Sequence, residues 1–249
     1  MEEMAANDRV IGGLNPLSTD RAKQLYSSFC NGEMLLTNAT TAEMAKLTEN
    51  SFRDVNIAFA NELSIISDKL GIDVWELIEL ANHHPRVNIL NPGPGVGGHC
   101  IAVDPWFIVS SAQEEAKLIR TAREVNDGKP AYVIAKITEA VEAEGADSIA
   151  ALGIAFKPDI DDLRESPALS IVQQMAEKWP EKNILVAEPN VNELPESLTA
   201  YQNVQLVDAS HAISSSPVVA VLVDHTPFKS LEKSVLEGKN VVDTRGMWS

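Results

Sequence analysis

SIAALGIAF, residues Ser148–Phe156, carries no charge and no polar side chain after its first residue. A run this uniformly apolar, without alternation, suits a strand buried on both faces, as in a parallel sheet. The pattern recurs downstream in NILVAEP (183–189), NVQLV (203–207), PVVAVLVD (217–224) and NVVDT (240–244). A helical stretch from Ala168 to Lys178 falls between the first two runs. Strands separated by helices imply βαβ units. Residues 147–249 are therefore expected to form a Rossmann-like parallel α/β C-terminal domain.

Upstream the periodicity changes. Met44, Leu47, Val55, Phe59, Leu63, Ile66 and Leu70 form one apolar stripe at helical steps. Thr40 with Glu43 reads as a capping box at its start, and Gly71 as its stop. A helix of about thirty residues is roughly 45 Å long, a length suited to linking domains or packing on a second subunit. Asp73 with Glu76 starts a shorter helix that must end before Pro85. Glu114–Val125 reads as another, stopped near Gly128, and Pro130 as the first residue of a further helix to Glu144. HCIAVDPWFIV (99–109) reads as extended. The expected organisation is a remnant of an N-terminal domain over 1–38, a long-helix central domain over 39–146, and the α/β domain over 147–249. Within 1–38, VIGGL (10–14) and EMLLT (33–37) read as strands and Thr19–Phe29 as a helix.

The chain has 249 residues, 45% of them hydrophobic, enough for a sizeable core. Lys and Arg number 20 against 36 Asp and Glu, a formal charge of −16. That balance argues against nucleic-acid binding but leaves room for an anionic nucleotide held by a few local cations. No apolar run approaches a membrane span, and the acidic start MEEMAANDR lacks a signal-peptide stretch. Two cysteines exclude a disulfide scaffold, and the expected compartment is a reducing cytoplasm.

Gly93-Pro-Gly-Val-Gly-Gly98 matches G-x-G-x-x-G in letters only. A dinucleotide cradle needs a strand before it and a helix after it, and Pro94 removes a backbone donor. The loop leads into His99-Cys100. Local sequence leaves two readings of Cys100 open, a nucleophile presented by a glycine-rich loop or a buried, inert thiol. Cys30, inside an amphipathic pattern, reads as inert. His83, His84, His99 and Cys100 lack the paired spacing of a zinc site, so no metal is expected.

Three stretches together carry more than their spacing. EMAKLTENSFRDVNIAFANEL (43–63), NPGPGVGGHCIAVDPWF (91–107) and LGIAFKPDIDDLRESPA (152–168) resemble the UDP-glucose/GDP-mannose dehydrogenase family. The form of the cysteine motif is similar to the branch that oxidises N-acetylated sugars. The resemblance implies four-electron oxidation of the C6 hydroxyl of a UDP-N-acetylhexosamine, UDP-N-acetylmannosamine to its uronic acid, with NAD as cofactor. UDP-N-acetylglucosamine and UDP-glucose are the alternative substrates, and a non-catalytic nucleotide-sugar-binding or dimerisation module the alternative class. It also implies a homodimer through the central helices. The family's NAD-binding domain with G-x-G-x-x-G is nearly absent from these residues, so the chain alone is expected to be inactive.

The resemblance assigns roles residue by residue. Cys100 is the nucleophile. Lys46 is an acid/base or oxyanion stabiliser, and Asn50 positions water or the oxyanion. Both residues present to one helix face at i, i+4, and periodicity alone equally permits a solvated polar face. Arg53, read as one position off that face, is a substrate contact, or else pairs with Asp54 or Glu49. Asp104 assists hydrolysis, or else caps the turn before Pro105. His84 and Arg86 precede the glycine loop and reach substrate, an arginine hereabouts contacting that of the neighbouring subunit. Gly97, Phe156, Lys157 and Arg245 contact the UDP-sugar. Arg164 contacts NAD across the cleft, or else pairs with Asp161 or Glu165.

Overall fold

The computed structural model describes residues 2–248. It opens with a helix α1 (Glu2–Ala6), then β1 (Arg9–Gly13), α2 (Pro16–Tyr26) and β2 (Met34–Asn38). β1 and β2 pair in parallel as a two-stranded sheet. The long helix α3 (Ala39–Leu70) follows, then α4 (Val74–Asn82), the glycine loop, α5 (Asp104–Ser111) and α6 (Lys117–Glu144).

The α3 stop is as expected, with Gly71 in the left-handed region at φ 66°. Its start differs: the cap is Asn38, whose side chain accepts from the Thr41 N–H, rather than Thr40. The buried face also differs. Met44, Phe59, Ile66 and Leu70 of the apolar stripe are exposed, whereas Asn50, Ser51, Asp54, Asn61 and Ser67 are buried. A polar ladder ties this second face to α6. Arg123 Nη1 donates to Asp54 Oδ1 at 2.5 Å, Asn126 Nδ2 to Asp54 Oδ1 at 2.8 Å, and Asn61 Nδ2 to Asn126 Oδ1 at 2.9 Å. Farther along, Lys129 donates to Ser64 and Tyr132 to Asp68.

Two expected helices prove to be one. α6 runs unbroken through Gly128 and Pro130. Proline removes one helical hydrogen bond, but Asn126 and Lys129 in the turn before it and Tyr132 after it are anchored to α3. Tertiary contacts hold the helix across a position where local sequence would stop it. The segment after Cys100 is likewise not extended: it makes a turn and then α5, with Pro105 in the first helical turn, where proline is tolerated.

The C-terminal part contains β3 (Ser148–Leu152), α7 (Pro167–Lys178), β4 (Asn183–Ala187), α8 (Glu196–Thr199), β5 (Val204–Leu206), α9 (Ala209–Ser215), β6 (Val218–Val221), α10 (Thr226–Lys229) and β7 (Asn240–Asp243). All five strands are parallel in the order β5-β4-β3-β6-β7. The order reverses between β3 and β6, which places a topological switch point at their carboxyl ends, where open α/β sheets bind ligands. Alternate residues serve the two faces. Ile149 and Ala151 join one core with α6 and α7 residues including Val133, Ile137, Ile171 and Met175. Ala150 and Leu152 join the other with Ala212, Ile213 and Phe228. The second half of α6 is thus a covering helix of this sheet.

Candidate active site

The glycine loop joins the two halves of the molecule. Its first amide, Gly93 N–H, donates to Asn61 Oδ1 on α3 at 2.9 Å. At its far end the loop lies on the exit of β3. A Cβ at Gly97 would fall 2.5 Å from the Glu165 carbonyl oxygen, and one at Gly98, whose φ is 80°, 3.1 Å from the Phe156 ring. These two positions need glycine because backbone meets backbone or ring there. No strand precedes the loop, which follows α4 through an irregular segment; this is not dinucleotide-cradle geometry.

Cys100 is exposed and Cys30 buried, so the reading of Cys100 as a buried thiol falls. Its carbonyl accepts from Val103 N–H and Asp104 N–H at 3.1 and 2.8 Å. The turn thereby sets the thiol one bend ahead of Asp104, the first residue of α5. Asn50, 4% exposed, reaches across from α3 and donates through Nδ2 to Asp104 Oδ2 at 2.5 Å. Cys100, Asn50 and Asp104 thus form one group. Lys46 and Arg53 lie on the same α3 face: 46, 50 and 53 are steps of four and three, so Arg53 is not off it. Lys46 pairs with Glu49 at 3.2 Å, both side chains more than 60% exposed. Arg53 is exposed.

A second group forms at the switch point. Pro94, Gly95, Phe156, Lys157, Val223 and Arg245 line one small cavity. Lys157 is exposed, with Nζ 5.7 Å from the Phe156 ring centroid. Arg245 donates through Nε to Asp224 Oδ1 at 2.8 Å. Its Nη1 lies where a Gly93 side chain would begin.

Arg164, exposed, follows the Phe156–Lys157 stretch in the segment before α7. Its partner is Asp162, at 2.6 Å, rather than Asp161 or Glu165. The Arg164 hydrogen bonds bring the Asp162 carboxyl down to about 2, helped by the charge of nearby His99. The same hydrogen bonds and the charge of Asp162 hold the Arg164 guanidinium above its usual value. His84 and Arg86 lie past the end of α4, both exposed, with Arg86 N–H donating to His84 Nδ1 at 3.3 Å. The structure does not bring them to either group within this one chain. Among the described residues, no three His, Cys, Asp or Glu side chains gather as metal ligands, and no helix is long and apolar enough to cross a membrane.

The sequence reading missed the polar anchors. Asn61, which holds the loop, and Glu188 and His225, buried at the strand ends, went unread. Asn50, Asp54, Ala58, Asn61 and Ser64 do recur at helical steps, a second stripe of small and polar residues visible in sequence.

A five-stranded parallel sheet with Lys157 and Arg245 at its switch point, joined through a glycine loop to the turn that carries the exposed Cys100, has the form of a nucleotide-binding α/β domain set against a helical one. The chain belongs to the UDP-glucose/GDP-mannose dehydrogenase family: residues 40–128 match its central domain and residues 150–249 its UDP binding domain. It is 55% identical over 249 residues to the NDP-N-acetyl-D-galactosaminuronic acid dehydrogenase of Ralstonia nicotianae, covering all of this chain and 58% of that protein. It is 56% identical over 256 residues to the UDP-N-acetyl-D-mannosamine dehydrogenase of Yersinia pestis, covering all of this chain and 60% of that protein. The UDP-D-ManNAc dehydrogenase structure from Pyrococcus horikoshii matches with a TM-score of 0.86 at 38% identity, over 100% of this chain and 58% of that one. The chain spans somewhat more than half the length of these relatives.

Proposed function

We propose that this chain supplies the thiol centre and nucleotide grip of an NAD-dependent UDP-N-acetylhexosamine 6-dehydrogenase that converts UDP-N-acetylmannosamine to its uronic acid. One observation carries the reading: the exposed Cys100 lies beside the Asn50–Asp104 pair and across the glycine loop from the Phe156–Lys157–Arg245 switch point. UDP would sit at the switch point, its phosphates facing Lys157 and Arg245, with the sugar pointing towards the thiol. Charge-assisted contacts of this kind contribute about 1.5–3 kcal/mol each.

The net change adds water to the C6 alcohol and removes two hydrides and two protons. NAD, held by the rest of the enzyme, would supply the hydride acceptor. Cys100 Sγ adds to the C6 aldehyde to give a thiohemiacetal, which at the higher oxidation level is a thioester; water then releases the acid and returns the thiol. In this reading Asp104, oriented by Asn50, takes a proton from that water. Lys46, on the same helix face, stabilises the developing oxyanion once it leaves Glu49. Arg53 and Gly97 line the sugar's path. The residues described do not fit a whole NAD site: the one G-x-G-x-x-G lacks its strand, and Arg164 is the side chain offered towards the cofactor. NAD reduction by this chain alone is not expected. An exposed thiol must stay reduced, which favours a cytoplasmic setting.

The exposed Phe52, Phe59, Ile66 and Leu70 share one face of α3. We assign that face to a second copy of the chain, with His84 and Arg86 directed at the partner's site. The test of the thiol reading is alkylation. UDP-N-acetylmannosamine should slow iodoacetamide labelling of Cys100 severalfold, and Lys157→Ala with Arg245→Ala should remove the protection. Labelling indifferent to saturating ligand overturns the assignment.

A further inference from the structure

Phe156 and Lys157 lie in an irregular segment, residues 153–166, between β3 and α7. Fixing irregular backbone costs about 1–2 kcal/mol per residue, so a nucleotide contact there is weak unless the segment is ordered in advance. Two buried side chains from neighbouring strand ends do that ordering. The Glu188 side chain, just past β4, is wholly buried. Its Oε2 accepts from Ile154 N–H at 2.9 Å, Ala155 N–H at 3.1 Å and His225 Nε2 at 3.0 Å. Its Oε1 accepts from the backbone and side-chain nitrogens of Asn190 at 3.1 and 3.3 Å.

His225, past β6, is equally buried. Its Nδ1 accepts from Asp159 N–H at 2.9 Å, with Asn190 Nδ2 at 3.0 Å. An accepting Nδ1 puts the ring hydrogen on Nε2, where it donates to Glu188. Asp159 is in the left-handed region at φ 61°, a rare state for a residue with a side chain. Its carboxylate accepts from Thr226 N–H at 2.8 Å and Thr226 Oγ1 at 2.6 Å. The segment is gripped at Ile154-Ala155 before the two contact residues and at Asp159 after them. Burial works against the Glu188 charge, but hydrogen bonds from His225, Ile154 and Asn190 outweigh it and hold the carboxyl below its usual range. A buried carboxylate with this many donors is an expensive way to fill a core; its placement is better explained by what it holds.

We propose that Glu188 and His225 are positioning residues for nucleotide-sugar binding, holding residues 154–159 so that Phe156 and Lys157 are presented before the ligand arrives. The proposal rests on the reading of those two residues as UDP-sugar contacts. The test is calorimetry of this chain with UDP, with amide exchange at Ile154, Ala155 and Asp159. Glu188→Gln keeps the shape but turns an amide NH2 towards converging donors; His225→Gln breaks the link to Asp159. Each should raise the Kd about tenfold and speed exchange at the three amides, with the far-UV spectrum unchanged. Ile137→Val, a core truncation on the α6 face of the sheet, should lower the melting temperature and leave the Kd alone. A folded Glu188→Gln protein with parental Kd overturns the positioning role and leaves the UDP site standing. Equal weakening by Ile137→Val also overturns it, because loosening anywhere would then suffice. Failure of the folded parental chain to bind millimolar UDP removes both. If Glu188→Gln does not fold, His225→Gln decides alone: a parental Kd in that folded variant overturns the positioning role.

Discussion

At the scale of residues, the informative side chains are the buried polar ones. Lys129 is 4% exposed, with its ammonium on Ser64 and over the Tyr132 ring. Burial lowers its pKa from 10.5 to about 8, and Asp68 opposes the shift only in part. Below pH 8 both folded and unfolded chains hold the proton, and the cost of burying the charge is fully present. Between 8 and 10.5 the unfolded chain binds more protons, so stability rises with pH. Against Lys129→Met, the parental protein should gain about 2–3 kcal/mol in urea unfolding between pH 7 and pH 10; a constant difference between the two would refute it. Legibility follows the same division. Cys100, Asp104, Phe156 and Lys157 were readable because motifs mark them. Glu188 and His225 were not, because a partner 37 residues away leaves no local pattern.

At the scale of elements, α3 was legible in length and stop but not in orientation. Hydrophobic periodicity names an apolar face; it does not say which body covers it. Within one chain the covered face is the polar stripe, because α6 meets it with Arg123, Asn126 and Lys129. Phe52, at 69% exposure, and Phe59, at 53%, remain open, and an assignment to a second copy predicts their burial on association. Sedimentation should find a dimer, and Phe52→Asp with Phe59→Asp should yield a folded monomer. A dimer that survives both substitutions places the interface elsewhere. α6 teaches the complementary lesson. Gly128 and Pro130 are local stop signals, and the anchors that override them come from α3.

At the scale of the whole molecule, the parallel sheet was legible strand by strand because both-face burial writes itself into apolar runs. Strand order was not, since pairing between β3 and β6 joins residues about seventy apart. Packing also crosses the line that composition suggests. α6 contributes Arg123 and Asn126 to the central ladder and Val133, Ile137, Ala140 and Val141 to the core of the sheet. Calorimetry should therefore record one cooperative melt, with far-UV and near-UV signals coincident; two resolved transitions would show the halves to be independent. This shared helix has a consequence for recombining relatives. A chimaera spliced in the turn at Gly145 would set one parent's helix against the other parent's sheet. A splice at Gly128–Pro130 leaves the sheet with its own cover, so the workable seam between the two halves runs through the middle of a helix.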